Sequence, residues 1–481
     1  MSTKALAKNT ALQITGKLLA TFFGLLTVAV LARYLGTAGY GQLTIALTFL
    51  SVFAVIVDFG LTLTTTQMIS EHKAREEHLL GNLLSLRIIS AVLFLALAPI
   101  VALAFPYDNI VKIAIAVGAV SYLFGTTSQM LVGVFQKRLV IGRFVLAELI
   151  NRGGVLLGAI IAPLFGLSLV GIVWILVAGN ALQLISILIF AGRYVKLRLK
   201  LNLATWKDII SRSWPIGASI FFNLIYLRGD IVFLSLYRSE AEVGIYGAAY
   251  KVVDVIAAVP VMFMGLVLPM LVATWSKKTA EAKESFHKQM QNFFDFFSVA
   301  ALPIALGSIA VGPALMTLIA GEDFKESGEI LMVLGPAAAI VFFGSLSGHA
   351  IVAVNKQRIM TWAYFAVAVV TVAGYMICIP IYGMWAAAWW TLISEILILI
   401  LTFTVVMRVS KFRPKMKTFC IASLASIIMF LGLLMFPTIH VLAEIVLGTI
   451  IYVIALAALG GPRPKDVAKL FLPEKPPISQ P

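Results

Sequence analysis

The sequence predicts an all-α integral membrane protein with about fourteen spanning helices. Three observations carry this: 61% of its 481 residues are hydrophobic, only 12% are charged, and its cations cluster between alternate apolar runs. Soluble domains are about 45–50% apolar and about 25% charged, so the composition excludes an ordinary soluble protein. The mean hydropathy of +1.00 agrees. A net charge of +15 would suit a nucleic-acid partner, but the placing of the cations explains it better, and no such partner is expected. Cys378 and Cys420 both lie in apolar runs, which argues against a disulfide framework or a metal cluster. Residues 1–9 are short and basic, and the run behind them is too long for a signal-peptide core.

A spanning helix needs about 20 mostly apolar residues. Lys4 and Lys8 precede span 10–33, which ends at Arg33, and span 40–67 returns to Lys73 and Arg75. Span 82–104 turns near Lys112, and 109–134 returns to Lys137, Arg138 and Arg143. Spans 144–163 and 168–191 meet at a cation-free turn and lead to Arg193, Lys196, Arg198, Lys200, Lys207 and Arg212. Spans 212–237 and 243–271 turn at Arg238 and reach Lys277, Lys278, Lys283 and Lys288. Spans 290–311 and 329–354 turn at Lys325 and return to Lys356 and Arg358. Spans 358–380 and 383–407 lead to Arg408, Lys411, Arg413, Lys415 and Lys417. The last two, 417–436 and 439–459, precede a basic tail with six prolines from Pro462 to Pro481, expected to be disordered or to lie on the membrane surface. Twenty-eight loop and tail cations thus face one side and four the other. The positive-inside rule puts both termini in the cytoplasm, which requires an even number of spans.

No loop exceeds about 20 residues, a connection length too short for an inserted catalytic domain, and no Walker loop occurs. The chain is therefore not expected to be an enzyme, to use ATP directly or to carry a cofactor. His72, His78, His287 and His440 lie in or near polar loops and His349 is isolated in a span, so no metal site is expected.

The chain also repeats itself. Leu31-Ala32-Arg33-Tyr34 with Gly39-Tyr40-Gly41 opens the second span, and Leu234-Ser235-Leu236-Tyr237 with Ile245-Tyr246-Gly247 opens the eighth. Six spans per copy make a parallel repeat, of the kind that brackets a central substrate site; chance likeness between apolar helices is the alternative. The repeat divides the chain into an N-lobe (1–200), a C-lobe (201–410), a two-helix hairpin (411–460) and the tail (461–481).

At these residues the sequence resembles a family. Ala32-Arg33-Tyr34-Leu35-Gly36, Gly39-Tyr40-Gly41 and Asp58-Phe59-Gly60-Leu61 resemble the N-terminal signature of O-antigen-type polysaccharide flippases, within the multidrug/oligosaccharidyl-lipid/polysaccharide exporter superfamily. Tyr226-Leu227-Arg228-Gly229-Asp230 resembles the family's seventh helix; Glu242-Val243-Gly244-Ile245-Tyr246 with Ala249-Tyr250-Lys251 resembles its eighth. The likeness covers about residues 10–410. It implies two six-helix pseudo-symmetric lobes around a cavity that opens alternately to each side. It also implies a flippase moving a polyprenyl-(di)phosphate-linked oligosaccharide from the cytoplasmic to the outer leaflet, for surface polysaccharide or glycan synthesis. Membrane lipids, H+ or Na+ as coupling ion, and glycan polymerases or glycosyltransferases are the partners it suggests. A multidrug or cation antiporter of the same superfamily is the nearest alternative; a membrane-embedded glycosyltransferase or polymerase is a more distant one.

Charges inside the spans are the candidate site, since each costs about 2.5–3.5 kcal/mol at the bilayer centre on insertion scales. Arg87 lies near the cytoplasmic end of its helix and is expected to snorkel to the head groups. Glu148 and Arg152, four residues apart, are expected to pair on one face, with a substrate role for Arg152 as the alternative. Lys17 shares a stripe with Gln13 and Thr21, and lies at the depth of Asp58, with which it could pair. In the outer half, Arg228 and Asp230 point to different faces; Asp230 shares its face with Asn223 and Tyr226. Lys251, beside Tyr250, and Asp254 could pair locally or with them. Glu395 lies nearest the bilayer centre, either neutral and hydrogen-bonded or titrating during transport. Lys17, Arg152, Arg228, Lys251, Gln13, Asn223, Tyr226 and Tyr250 are thus candidates for substrate contact. Asp58, Glu148, Asp230, Asp254 and Glu395 are candidates for coupling or ion pairing. Pro260, Pro269, Pro303 and Gly335-Pro336 are expected to break their helices as hinges or static kinks.

Overall fold

In lipid a backbone must satisfy its own hydrogen bonds, so each apolar run folds as a helix. The computed structural model describes residues 3–71, 76–138, 140–435 and 440–462. Among them the chain forms helices and turns and no strand. In order these are α1 (Thr3–Asp58), α2 (Leu61–Glu71), α3 (Glu76–Ala102), α4 (Asn109–Met130), α5 (Val132–Lys137), α6 (Ile141–Ile161) and α7 (Leu169–Gly192). Then come α8 (Leu203–Tyr237), α9 (Glu240–Ser276), α10 (Ala280–Ala320), α11 (Lys325–Ala353), α12 (Gln357–Ser410), α13 (Lys417–Leu434) and α14 (Val441–Ala458). His72, Lys73, Arg75 and residues 463–481 of the tail lie outside the described residues.

Among the described residues, twelve helical stretches are long and apolar enough to cross a membrane. Two of them, Thr15–Ile69 and Gln357–Ser410, have 55 and 54 residues, more than twice the length of one crossing. Each divides at a glycine with positive φ, Gly36 (φ 68°) and Gly383 (φ 58°), a conformation that a Cβ would strain. With both divided, the chain carries close to the fourteen apolar segments that its hydropathy predicts. The break at Gly383 frees the amide of Met384, which donates to Glu242 Oε1 at 2.6 Å; Glu242 in turn pairs with Arg238 at 3.2 Å. Pro260, Pro269, Pro303 and Pro336 do not break their helices, because α9, α10 and α11 run through them. Proline removes one donor from a helix, whereas a left-handed residue turns the backbone itself. The breaks therefore fall at Gly36, at Gly383 and at Phe59–Gly60, where φ is 35° and 79°.

The chain forms two compact units, Met1–Lys251 with Ile319–Phe324 and Tyr364–Ala387, and Val252–Leu318 with Lys325–Ala363 and Ala388–Pro481. In the first, Leu80, Leu83, Met130, Phe135, Ile187 and Ile209 pack as one core. The connection between α7 and α8 is bound to α3: Lys200 N donates to Ser85 Oγ (3.1 Å) and Asn202 N to Asn82 Oδ1 (2.8 Å). Asn202 Oδ1 also caps α8 by accepting from Thr205 N at 2.9 Å. In the second unit the α13–α14 hairpin packs on α10 through Met429, Val311 and Tyr452, whose hydroxyl donates to Val299 O at 2.7 Å.

The two repeated motifs meet within the first unit. A Cβ on Gly41 would lie 1.7 Å from Glu240 O, and one on Gly244 would lie 2.0 Å from Thr37 O. Gln42 Nε2 donates to Glu240 Oε2 at 2.6 Å beside them. Gly244→Ala should therefore force α1 and α9 apart and lower stability by about 1–3 kcal/mol. Gly265→Ala, on the same helix with nothing within 4 Å, should stabilise by up to about 1 kcal/mol. Thermal unfolding of both variants in detergent checks this; equal shifts would mean that the close approach carries no weight.

Candidate functional site

Helical spacing gathers the polar residues of the first unit onto one surface. On α6, Glu148, Asn151, Arg152 and Val155 recur at three and four residues and so share a face. Ser121, Tyr122, Gly125, Thr126 and Gln129 on α4 and Leu176, Asn180 and Gln183 on α7 do likewise. With Ala54 and Asp58 of α1 and Thr62 and Leu63 of α2, they line a cavity of about 570 Å³. Its charged residues, Asp58, Glu148 and Arg152, fall in the halves of their spans nearer the basic loops.

The break at Phe59–Gly60 explains why Asp58 is available there, because it ends α1 and leaves the carboxylate beside the next turn. Asp58 Oδ1 accepts from Thr62 Oγ1 and from Arg87, whose Nη2 also reaches Thr62 Oγ1 at 2.8 Å. Arg87 is fully buried and does not snorkel to the head groups. An acid one helix away gives it a partner at lower cost than stretching to water. Its Nε and Nη1 have no hydrogen-bond partner among the described residues.

Lys17 pairs with Glu148 at 3.3 Å instead of with Asp58, and Glu148 consequently does not pair with Arg152. Among the described residues Arg152 makes no ion pair and stands exposed on the cavity wall. The cavity thus holds two acids, each with a cation, and one cation without an acid. Lys17 is exposed, so a cysteine at that position in a cysteine-free background should react with a water-soluble maleimide. Persistent protection would mean that the pair is dry.

Carboxamides of α6 and α7 line the cavity beside these charges. Asn151 Nδ2 donates to Gln183 Oε1 (2.6 Å) and Asn180 Oδ1 (3.1 Å). Asn180 Nδ2 donates to Ser121 Oγ (2.8 Å) and Leu176 O (3.2 Å). The Tyr122 hydroxyl donates to Leu47 O at 2.8 Å, which holds the ring against the cavity. A search of the spans for charges passes over Asn151, Asn180, Gln183, Ser121, Tyr122 and Gln129. The signal was present: three carboxamides, Asn151, Asn180 and Gln183, in two mostly apolar runs, 144–163 and 168–191.

The remaining predicted residues lie elsewhere. In the first unit, Asn223 Nδ2 donates to the Tyr226 hydroxyl (2.9 Å) and Tyr226 stacks on Tyr364. Arg228 lies 4.8 Å from the centre of the Tyr250 ring, whose hydroxyl donates to Leu227 O. Buried Asp230 accepts from Tyr246 at 2.6 Å and from the amide of Ile231. Lys251 and Asp254 are half-buried, and Gln13 is exposed. None of these eight lines the cavity. Glu395, in the second unit, is 6% exposed and makes no hydrogen bond among the described residues. No group of His, Cys, Asp or Glu among the described residues could hold a metal ion.

Comparison with known proteins places this architecture. A putative O-antigen transporter of Shigella dysenteriae is 23% identical over 193 residues, 40% of this chain and 47% of that protein. The match therefore spans about half of that relative. A probable low-salt glycan biosynthesis flippase, Agl15 of Haloferax volcanii, is 21% identical over 376 residues, 77% of this chain and 76% of its own. The lipid II flippase MurJ in an inward closed conformation superposes with a TM-score of 0.78 over 93% of this chain and 98% of its own, at 15% identity. An inward-facing multidrug resistance MATE transporter of the MOP superfamily gives 0.66 over 82% and 95%, at 14% identity. At those identities the two structures establish the fold. The model of the polysaccharide biosynthesis protein family matches residues 6–275, more than half of the sequence, and the chain belongs to that family.

Proposed function

We propose that this chain is a flippase that carries a polyprenyl-(di)phosphate-linked oligosaccharide from the cytoplasmic to the outer leaflet by alternating access. The observation that carries the reading is the polar cavity inside the first unit, with Arg152 as its one uncompensated charge. A diphosphate-linked sugar brings about two negative charges into a low-dielectric layer, and an arginine in a wet cavity offsets their desolvation through charge-assisted hydrogen bonds. Lys17, held on Glu148 at the rim, is a second cation that an incoming anion could recruit. The names of the two curated relatives, an O-antigen transporter and a glycan flippase, support the same cargo.

The N-lobe, C-lobe and hairpin divide this work, both termini are cytoplasmic, and H+ or Na+ supplies the coupling. Arg228, Lys251, Asn223, Tyr226 and Tyr250 serve the cargo at a later stage, in the outer half; Asp230, Asp254 and Glu395 serve coupling. We read the chain as a transporter and not an enzyme, a reading that the transporter and flippase names of the two curated relatives support. A drug antiporter would present unpaired acids to a cationic cargo, the reverse of the balance around Arg152.

Deletion of the gene, followed by analysis of lipid-linked sugars, tests the proposal. Accumulation of a lipid-linked oligosaccharide on the cytoplasmic side, with unchanged sensitivity to a panel of cationic drugs, is expected. Drug hypersensitivity without such accumulation would overturn it.

A further inference from the structure

The hydrogen bonds on the carboxamide wall leave a defined set of atoms unspent. Both N–H groups of Asn151 and both of Asn180 are taken by the bonds to Gln183, Asn180, Ser121 and Leu176. Among the described residues, Gln183 Nε2, the Ser121 hydroxyl proton and Asn151 Oδ1 have no partner. Gln183 is 4% exposed, Asn151 8% and Ser121 3%, and all three line the cavity. Their orientation is not free: each amide is held by the next, so reversing one would break a bond to its neighbour. Gln183 Nε2 and Asn151 Oδ1 are not among the fully buried atoms left without a partner, so both reach the cavity surface, where a ligand can meet them. A wall of this kind is built for a ligand that both donates and accepts hydrogen bonds and carries no net charge at that point.

We infer that Gln183, Asn151 and Ser121 form a saccharide-reading subsite in the first unit, with Arg152 seated beside it for the anionic group of the same cargo. Sugar hydroxyls donate and accept through one oxygen, which suits two N–H donors, a hydroxyl and a carbonyl on one wall. The Tyr122 ring, immobilised by its bond to Leu47 O, offers an apolar face to the sugar's C–H side. A drug-sized pocket of about 300–1,000 Å³ is ordinary for a small ligand, and this one, at about 570 Å³, has room for a short oligosaccharide. The inference rests on the flippase reading, and assigns to this unit the choice among glycans. The anion that Arg152 meets is a diphosphate or a sugar carboxylate.

The test uses the purified full chain and two probes, farnesyl diphosphate and the lipid-linked oligosaccharide extracted from the deletion strain. Gln183→Leu keeps the side-chain volume and removes both donors. Its affinity for the extract, relative to farnesyl diphosphate, should fall about tenfold, the equivalent of about one buried hydrogen bond. Thr449→Ala, exposed in the second unit, should move the same ratio by less than about twofold, and Ser121→Ala, which removes the hydroxyl proton, should lower it and serves if Gln183→Leu does not fold. Arg152→Gln should weaken both probes if the anion is the diphosphate, and the extract alone if it is a carboxylate. An unchanged ratio in Gln183→Leu, with native binding of the extract by the unaltered protein, overturns the subsite and leaves the flippase reading standing. Failure of the unaltered protein to bind the extract, in a strain that accumulates no linked sugar, overturns the flippase reading instead.

Discussion

Arg87→Ala should be among the most destabilising single changes in the first unit, by about 3–5 kcal/mol, the range for breaking a buried ion pair from one side. The guanidinium is fully buried and its charge is answered by Asp58, so truncation leaves a carboxylate with no cation and a void where the side chain was. Asp58→Asn should cost a comparable amount, since it leaves Arg87, already short of partners at Nε and Nη1, without its counter-charge. Arg87→Met combined with Asp58→Leu should be milder than either single change, because an apolar pair of similar size removes both desolvation costs at once. Thermal unfolding of the three variants in detergent provides the measure. An arginine that snorkelled to the head groups would give a small shift for Arg87→Ala and additive effects in the pair.

Arg152→Ala should do the reverse, abolishing export while leaving the fold intact. Arg152 is exposed on the cavity wall and makes no ion pair among the described residues, so its loss should change stability by no more than about 0.5 kcal/mol. Export of the glycan should fall more than tenfold, since a charge-assisted hydrogen bond to a phosphate is worth about 1.5–3 kcal/mol. Arg152→Lys should retain part of the activity, keeping the charge and losing the planar fork. Arg152→Glu should be inactive. Export assayed beside the amount of folded protein separates the two effects, and normal export by Arg152→Ala would remove this residue from the mechanism.

The helices and their number were legible because hydropathy is a property of runs, and averaging over about 20 residues forgives any one position. Partners are a property of pairs, and there the sequence misled. Lys17, Asp58, Arg87, Glu148 and Arg152 were all visible, yet local spacing favoured Glu148 with Arg152, and depth favoured Lys17 with Asp58. The fold instead joined Lys17 to Glu148 and Arg87 to Asp58. Helix rotation about its own axis decides such pairings, and nothing in one sequence reports it. Proline misled for a related reason: it marks a missing bond, while Gly36, Phe59–Gly60 and Gly383 mark an actual change of backbone direction. The carboxamide wall was hidden by a rule that ranks intramembrane residues by charge and so treats asparagine and glutamine as background.

The short stretch joining α7 to α8 is not the slack tether that its ten residues would allow. With Lys200 and Asn202 fastened to Ser85 and Asn82, and Asn202 also holding the first turn of α8, little loose chain remains between those two anchors. An axial slide of α3 would therefore be handed on to α8 without being absorbed on the way. Cutting the fastening at Asn82 would give that leash back its play, and the two helices would then move out of step.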